Sequence, residues 1–425
     1  GTMNLTEPQA GSDVGALRST AEPITEGEHA GKYRIKGQKI YITFGEHDLT
    51  DNIIHLVLAR TPGAPEGTRG ISLFIVPKFH LDAEGNASAP NDVTCVSIEH
   101  KIGIHASPTC VMAYGEQGEC IGEMIGGEFG GMKAMFTMMN NARINVGSQG
   151  VQIAERATQQ ASRFALERIQ SARAGSGDKA PVPIIEHPDV RRMLLRSKAL
   201  TQAARALLYY ASSSVDRATL GIEGAKARAE ILTPLIKGYG TDIGNEVASI
   251  GVQVHGGMGF IEETGAGQHF RDARIAPIYE GTNGIQAADL VGRKLGLDGG
   301  EAMQIFIAAI RAEAGDENGL LALAHACEDV RQWMAGGDAS IDDRLAGSYP
   351  FMTMLATATC GMLMLKQHRI AEAELNGGDD PFLKAKLVTT RYYLDHLVPE
   401  ALGLKAAAIA GSDILYQLDS AALAG

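Results

Sequence analysis

Cysteine is scarce in this chain, with five in 425 residues. They stand at 95, 110, 120, 327 and 360 and never pair as Cys-x-x-Cys. That excludes a disulfide framework and a zinc ribbon, and it fits a reducing compartment. Positive charge is also short: 38 Lys and Arg against 50 Asp and Glu, for a net charge of −12. The basic residues form no dense cluster, which argues against a nucleic-acid or anionic-membrane partner. Small anionic ligands stay open, because a few placed arginines outweigh a net charge. No apolar run approaches the roughly 20 residues of a membrane span, and no secretory leader is visible. The expectation is a cytoplasmic protein without a membrane span.

Metal and nucleotide signatures are missing as well. There is no His-Glu-x-x-His, no Asp-rich calcium loop and no P-loop. A Gly-x-Ser-x-Gly elbow is absent too. His100 and His105 flank a Gly-Ile turn and read as loop histidines rather than ligands. The Gly256–Gly259 run lacks the Gly-x-Gly-x-x-Gly spacing and follows no strand of a βαβ unit, so it is not a dinucleotide fingerprint.

What is present is an ordinary globular composition, 45% apolar and 21% charged. The length suits two or three domains. The start, 1–8, is dense in pattern from its first residue and reads as a cut inside a longer protein. Pro8 and Gly11-Ser12-Asp13 mark a loop. From about 20 to 115 the apolar period is two. Residues 32–43 alternate around a Lys-Gly pair, which predicts a hairpin. Short β-branched runs follow at 52–59, 70–76, 92–98 and 108–114. Together they predict an antiparallel barrel or sandwich.

Near Gly122 the texture turns helical. One helix is expected from Met132 to about Ser171, with Met132, Met135, Met138 and Met139 as core filler. A Pro/Gly-rich linker covers 171–189. Val190, Met193, Leu194, Leu200, Ala204, Leu207, Leu208 and Ala211 then repeat at helical spacing. A third helix is expected at 225–254, with Pro234 as a kink site, and a fourth from just after Glu280 to Leu295. Four such helices predict a bundle. Beyond Leu297-Asp-Gly-Gly300 the chain reads as helical at 301–314, 318–335, 350–375, 381–397 and 400–419. The fold class is therefore α+β. A β domain (1–120) precedes a helical bundle (121–297) and an all-helical C-terminal domain (298–425).

Chemistry concentrates at 271–286, Arg-Asp-Ala-Arg-Ile-Ala-Pro-Ile-Tyr-Glu-Gly-Thr-Asn-Gly-Ile-Gln. Glu280 stands there between Tyr279 and a Gly-Thr turn, just ahead of a helix. Two readings are open for it: a general base held by rigid neighbours, or a first-turn acid that complements the helix dipole. Arg271 and Arg274 read equally well as surface salt-bridge partners. Tyr279 reads as packing.

Five stretches settle more than any one of them. Leu-Thr-Glu-Pro-Gln-Ala-Gly-Ser-Asp (5–13), Lys-Gly-Gln-Lys-Ile-Tyr-Ile-Thr (36–43), Phe-Ala-Leu-Glu-Arg (164–168), Val-Gln-Val-His-Gly-Gly-Met-Gly-Phe (252–260) and Arg-Asp-Ala-Arg-Ile-Ala-Pro-Ile-Tyr-Glu-Gly-Thr-Asn (271–283) occur in this order. The chain resembles the acyl-CoA dehydrogenases over about 1–297. The linker at 181–189 and the tail after 297 resemble the large subgroup with a C-terminal helical extension. The resemblance implies FAD as cofactor and α,β-desaturation of an acyl-CoA thioester, as in fatty-acid β-oxidation. It implies electrons passed to an electron-transfer flavoprotein and a homo-oligomer, dimer or tetramer. An acyl-CoA oxidase and an inactive assembly fragment are the alternatives.

Carried over, the resemblance implies that Glu280 is the catalytic base. Leu5, Thr6, Gly11, Ser12, Tyr41 and Thr43 would lie against flavin, with Ser12 also facing substrate. Arg168 would bind the FAD pyrophosphate of a neighbouring subunit. Gln253 and Gly257 would serve the adenosine end, with glycine there for close approach. Thr282 would sit near the FAD phosphates at a helix N-terminus. Asn140, Arg143 and Gly281 would complete the substrate site. The backbone N–H of Glu280 and a ribityl hydroxyl would hold the thioester oxygen, and donors of this kind contribute about 3–4 kcal/mol each. Tyr41 replaces the family's frequent Trp, Asn140 its Asp, and Gly284 its Gln. The family's N-terminal helical domain is expected to be absent.

Overall fold

The β-branched runs near the start become ten strands in the computed structural model, which describes residues 1–425. They are β1 (Thr2–Asn4), β2 (Thr20–Pro23), β3 (Tyr33–Thr43), β4 (Ile54–Ala59) and β5 (Ser72–Pro77), then β6 (Phe79–Leu81), β7 (Ala87–Pro90), β8 (Val93–Ile98), β9 (Thr109–Tyr114) and β10 (Ile121–Ile125). The chain divides into two units, Gly1–Asn141 and Ala142–Gly425. In the first, eight strands form one sheet: seven follow the path β1-β4-β5-β10-β3-β9-β8, and β2 pairs with β3 off that path. The path is open, with β1 and β8 at its ends. It is not wholly antiparallel, because β1 pairs with β4 in parallel. Alternate residues of these strands close a core around Ile35, Val57, Phe74 and Met112.

The expected hairpin at 32–43 is instead the single strand β3. Gly37 makes a close approach there rather than a turn. It has φ +152°, and a Cβ on it would meet Ser19 Oγ at 2.3 Å. Gly37→Ala is therefore expected to lower stability by about 1–3 kcal/mol, read from the urea midpoint. Farther along, the β3–β9 register shifts between Lys39 and Ile42. Tyr41, at φ 62°, lies within that shift. Bulges of this kind re-aim side chains and recur beside active sites.

One lysine of β3 is buried. Lys39 Nζ donates to Glu7 at 2.8 Å and to the Leu5 carbonyl at 3.2 Å. Glu7 also accepts from Arg18 N, Ser19 N, Ser19 Oγ and Gln9 Nε2, at 2.6, 3.0, 2.6 and 2.7 Å. Ile40 N donates to the Thr6 carbonyl at 2.9 Å. The Leu5–Glu7 segment is thus pinned to β3. Burial opposes the Glu7 charge, but the Lys39 ammonium and the other donors prevail and hold the carboxyl down at about 2. Burial pushes Lys39 down to about 8, against the pull of Glu7.

Helix α1 (Gly131–Glu167) starts in this unit. Met135 is buried, and Met132, Met138 and Met139 pack beside it with Leu58, Ile71 and Leu73, as core filler should.

The second unit is helical: α2 (Pro188–Thr219), α3 (Ala225–His255), α4 (Ala266–Ala273), α5 (Asn283–Asp289), α6 (Glu301–Ala314), α7 (Asn318–Ala335), α8 (Ile341–Leu375) and α9 (Pro381–Tyr392). The fourth long helix of the expected bundle is short: α5 passes into a π turn at Leu290–Lys294. The others run as long as their periodicity implies, and α3 continues through Pro234 without a break. Apolar faces of α2, α3, α6, α7 and α8 share one core, in which Leu207, Ile236, Ile307, Leu323 and Leu355 are buried.

Helix α8 begins at Ile341, nine residues before the expected 350. Ser340 and Asp343 form a reciprocal capping box there, and the helix carries Pro350 in its interior. It also corrects the expectation about apolar runs. By length and composition α8 could cross a membrane, with a mean hydropathy of 1.2, yet 78% of that window is buried in the fold. Its apolar surface is core. The expected helix at 400–419 is broken into Val398–Leu402, Lys405–Ala408 and a 3-10 turn at Asp413–Tyr416.

Candidate active site

Glu280 sits in an irregular loop between α4 and α5, and its backbone is left-handed, with φ 55°. For a residue with a Cβ this costs about 1–2 kcal/mol. Gly281 follows at φ 83°. That conformation favours glycine, and a Cβ there would also press on Gln286 Nε2, at 2.8 Å. Two donors fix this double left-handed turn from below. Lys237 Nζ, on α3, donates to the Gly281 carbonyl at 2.6 Å. Gln286 Nε2 reaches the carbonyls of Gly281 and Glu280 at 3.3 and 3.4 Å.

The surroundings are unusually charged for a protein interior. Lys237 is wholly buried, and Arg143 and Asp289 nearly so. Arg143 Nη1 stands 3.9 Å from Asp289 Oδ2, and Arg293 binds the other oxygen of Asp289. Burial raises the Glu280 carboxyl above the ordinary 4.5, while Arg143 and Lys237 pull it back. Burial likewise pushes Lys237 down to about 8, with Asp242 opposing and Arg143 assisting. The loop therefore presents a partly desolvated carboxylate between two buried cations. That arrangement suits a proton acceptor near neutral pH. The dipole alternative weakens, because Glu280 lies outside α5 and the α5 N-cap is Thr282.

Arg143, Glu280 and Gly281 come together as the sequence implied. Thr282 Oγ1 accepts from Ile285 N at 3.1 Å and caps α5, with its O–H left free to donate. Arg168 is exposed, with Nη1 on the Ile169 carbonyl at 2.6 Å. Gln253 lines an open cleft with Arg192, Arg196 and Glu246. Gly257 faces open space within the chain. The glycines the local fold requires are Gly256, at φ 61°, and Gly259, where a Cβ would meet the Val252 carbonyl at 2.2 Å. Arg271 pairs with Glu262 at 2.6 Å, the surface reading, and the Tyr279 hydroxyl bonds Gln149. In the first unit, Leu5 and Thr6 are half-buried on the pinned segment, while Gly11, Ser12, Tyr41, Thr43 and Asn140 are exposed.

Sequence reasoning missed Lys237, Gln286 and Asp289. A signal existed for the first: Lys237 is the single charge in Ile231-Leu-Thr-Pro-Leu-Ile-Lys-Gly-Tyr-Gly-Thr241. A lone cation in an apolar helix is buried only when it is paired.

Comparison with known proteins names the frame. Residues 2–115 match the acyl-CoA dehydrogenase middle domain and 130–295 its C-terminal domain, while 301–419 match a domain described as acetyl-CoA dehydrogenase C-terminal like. The chain is 48% identical over 417 residues to 3-methylmercaptopropionyl-CoA dehydrogenase of Ruegeria pomeroyi, covering 94% of this chain and 70% of that protein. It belongs to the acyl-CoA dehydrogenase family. A butyryl-CoA dehydrogenase of Syntrophomonas wolfei is 39% identical, over 96% of this chain and 70% of its own length. An acyl-CoA dehydrogenase of Bacillus anthracis, solved in complex with FAD, superposes with a TM-score of 0.74 at 20% identity, over 100% of this chain and 70% of that one. These acyl-CoA dehydrogenases are oxidoreductases, and the family resemblance first read from five motifs is confirmed.

Proposed function

We propose that this chain carries the catalytic machinery of an FAD-dependent dehydrogenase that converts an acyl-CoA thioester to its trans-2-enoyl form, with Glu280 as the base. The observation that carries the reading is the Glu280 loop. A partly desolvated carboxylate sits in a strained, left-handed turn, under the influence of the Arg143 and Lys237 charges. Folds spend strain of this kind at functional positions.

FAD, when bound, would accept the β-hydride and hand the electrons to an electron-transfer flavoprotein. The residues present fit such a ligand. Beside Glu280, the buried Arg143 Nε and Gln286 Oε1 have no partner within the chain, as expected where a polar ligand completes the set. Tyr41 and Thr43 offer an exposed aromatic face and hydroxyl from the β3 bulge.

The chain's own task is proton removal. Burial keeps Glu280 basic enough to take the α-proton. Arg143 and Lys237 keep it ionised beforehand and are placed to balance the negative charge that develops as the proton leaves. A short acyl group is the proposed substrate class, supported by the names of the two relatives. A dimer or tetramer is proposed on the resemblance alone; cytoplasmic location is proposed from the scattered, unpaired cysteines, and the division into segments 1–120, 121–297 and 298–425 from the changes of apolar period along the chain.

Anaerobic titration of the flavin-loaded protein with butyryl-CoA and 3-methylmercaptopropionyl-CoA tests the reading. Bleaching of the visible flavin band is expected, with reoxidation by an electron-transfer flavoprotein. A flavin that stays oxidised against a range of acyl-CoAs would refute it. Rapid peroxide release in air would assign an oxidase instead.

A further inference from the structure

The α8 helix belongs to the C-terminal extension, yet one of its side chains leads to the Glu280 loop. Tyr349 donates its hydroxyl to Asp242 Oδ2 at 2.6 Å. Asp242 Oδ1 accepts from Asn283 Nδ2 at 2.8 Å. The same amide nitrogen also reaches Thr241 Oγ1 and the Gly238 carbonyl, at 2.9 and 3.0 Å. Asn283 Oδ1 in turn accepts from Lys237 Nζ at 3.0 Å, and Lys237 holds the Gly281 carbonyl. Every link joins side chains from different elements. Asn283 and Lys237 are buried, so their polar atoms are satisfied within the protein.

We propose that Tyr349, Asp242, Asn283 and Lys237 form one positioning chain, through which the C-terminal extension holds the Glu280 loop in its left-handed conformation. This rests on Glu280 being the base. None of the four touches the reacting atoms; they act through the Gly281 carbonyl and through the Lys237 charge. The chain has a physical logic. A left-handed glutamate reverts to an ordinary conformation unless its flanking carbonyls are tied, and Lys237 supplies a tie at Gly281. Asn283 fixes the direction of the ammonium. Asp242 takes the shortest of the Asn283 amide bonds and, with the Gly238 carbonyl, holds the amide's donor end away from Lys237. Tyr349 then fixes Asp242 from outside the bundle.

The charged and titratable groups around this chain come from several elements. Arg143 faces Glu280 and Lys237 from α1. Arg274, after α4, faces Asp242 and Tyr349. Tyr279 faces Glu280 from its own loop. Asp289 and Arg293 face Arg143. Removing the Lys237 charge leaves Arg143 as the remaining cation acting on Glu280, so the carboxyl rises.

The test uses Lys237→Met, Tyr349→Phe and the double variant in the flavin-loaded full chain, with Glu280→Gln alongside. Lys237→Met should lower kcat by about tenfold or more while KM changes little, since groups in one network couple strongly. The acid limb of its pH profile should move to higher pH. Tyr349→Phe, nearly isosteric and partly exposed, should lower kcat by roughly threefold. The double variant should be no worse than Lys237→Met alone, because a chain already cut at Lys237 transmits nothing from Tyr349. Wild-type kcat in Tyr349→Phe, or losses that multiply in the double variant, would overturn the proposal. If Lys237→Met fails to fold, Tyr349→Phe and Asp242→Asn decide, each expected to lower kcat without raising KM. Turnover retained in Glu280→Gln would instead refute the base assignment, which separates the two failures.

Discussion

Glu280→Gln should abolish most turnover while leaving the protein folded and yellow. Gln keeps the shape and loses the basic oxygen, so removal of a general base costs a factor of about 10²–10⁴. The stability sign is the opposite of what an ordinary core substitution gives. The folded carboxyl of Glu280 lies above its unfolded value because burial penalises the charge. Its favourable contribution is therefore present at low pH and lost as pH rises through the folded value. At neutral pH the ionised side chain works against folding, and Gln removes that cost. The variant is expected to melt no lower than the parent. Glu280→Gly should behave likewise, since it relieves about 1–2 kcal/mol of left-handed strain. Dead enzyme with unchanged or raised stability is the mark of a residue kept for chemistry. A stability loss with full turnover in Glu280→Gln would place the residue among structural acids.

Lys39→Met should be the most damaging change to the fold. It leaves the buried Glu7 carboxylate without its cation, and stranding one partner of a buried pair costs about 3–5 kcal/mol. The effect depends on pH in a defined direction. In the parent, Glu7 is held at about 2, below its ordinary 4.5. That contribution is present above the ordinary value and lost as pH falls toward the folded one. In the variant, the lone carboxyl rises and protonates more easily. The gap between parent and variant should be wide near neutral pH and narrow below the ordinary glutamate value. Urea midpoints across that range read it directly. Adding Glu7→Gln to Lys39→Met should recover much of the loss, because no unpaired charge remains buried. Lys39 also ties the Leu5 carbonyl, so the single variant is expected to release flavin more readily than the parent. Equal urea midpoints for parent and Lys39→Met at neutral pH would show that the pair contributes nothing.

Much of the fold was legible because local period reflects burial on one face. Alternation at 52–59, 92–98 and 108–114 gave β4, β8 and β9. The 3.6-residue period gave α2 and α3 to within a few residues. The misses have particular causes. Gly37 reads as a turn residue, and only the contact with Ser19 reveals a straight strand. The start of α8 was placed nine residues late, at 350, whereas Ser340 and Asp343 supply the cap ahead of Ile341. The cap that Thr282 makes to Ile285 was also not foreseen; it uses the oxygen as acceptor and leaves the O–H free to donate.

The sequence by itself determined the family, through five ordered motifs, and the candidate base, because Glu280 holds the place in the last motif that the resemblance gives to the base. It determined the alternation of strands and helices and the lack of a metal or dinucleotide motif. Only the tertiary structure decided what holds the base. Lys39 meets Glu7 across 32 residues, Lys237 meets Gly281 across 44, and Tyr349 meets Asp242 across 107. No local window spans such distances, and a lysine's burial depends on which partner the fold brings to it. The left-handed backbone of Glu280 is likewise invisible in its letter, since the carbonyl ties that sustain it come from Gln286 and from another helix.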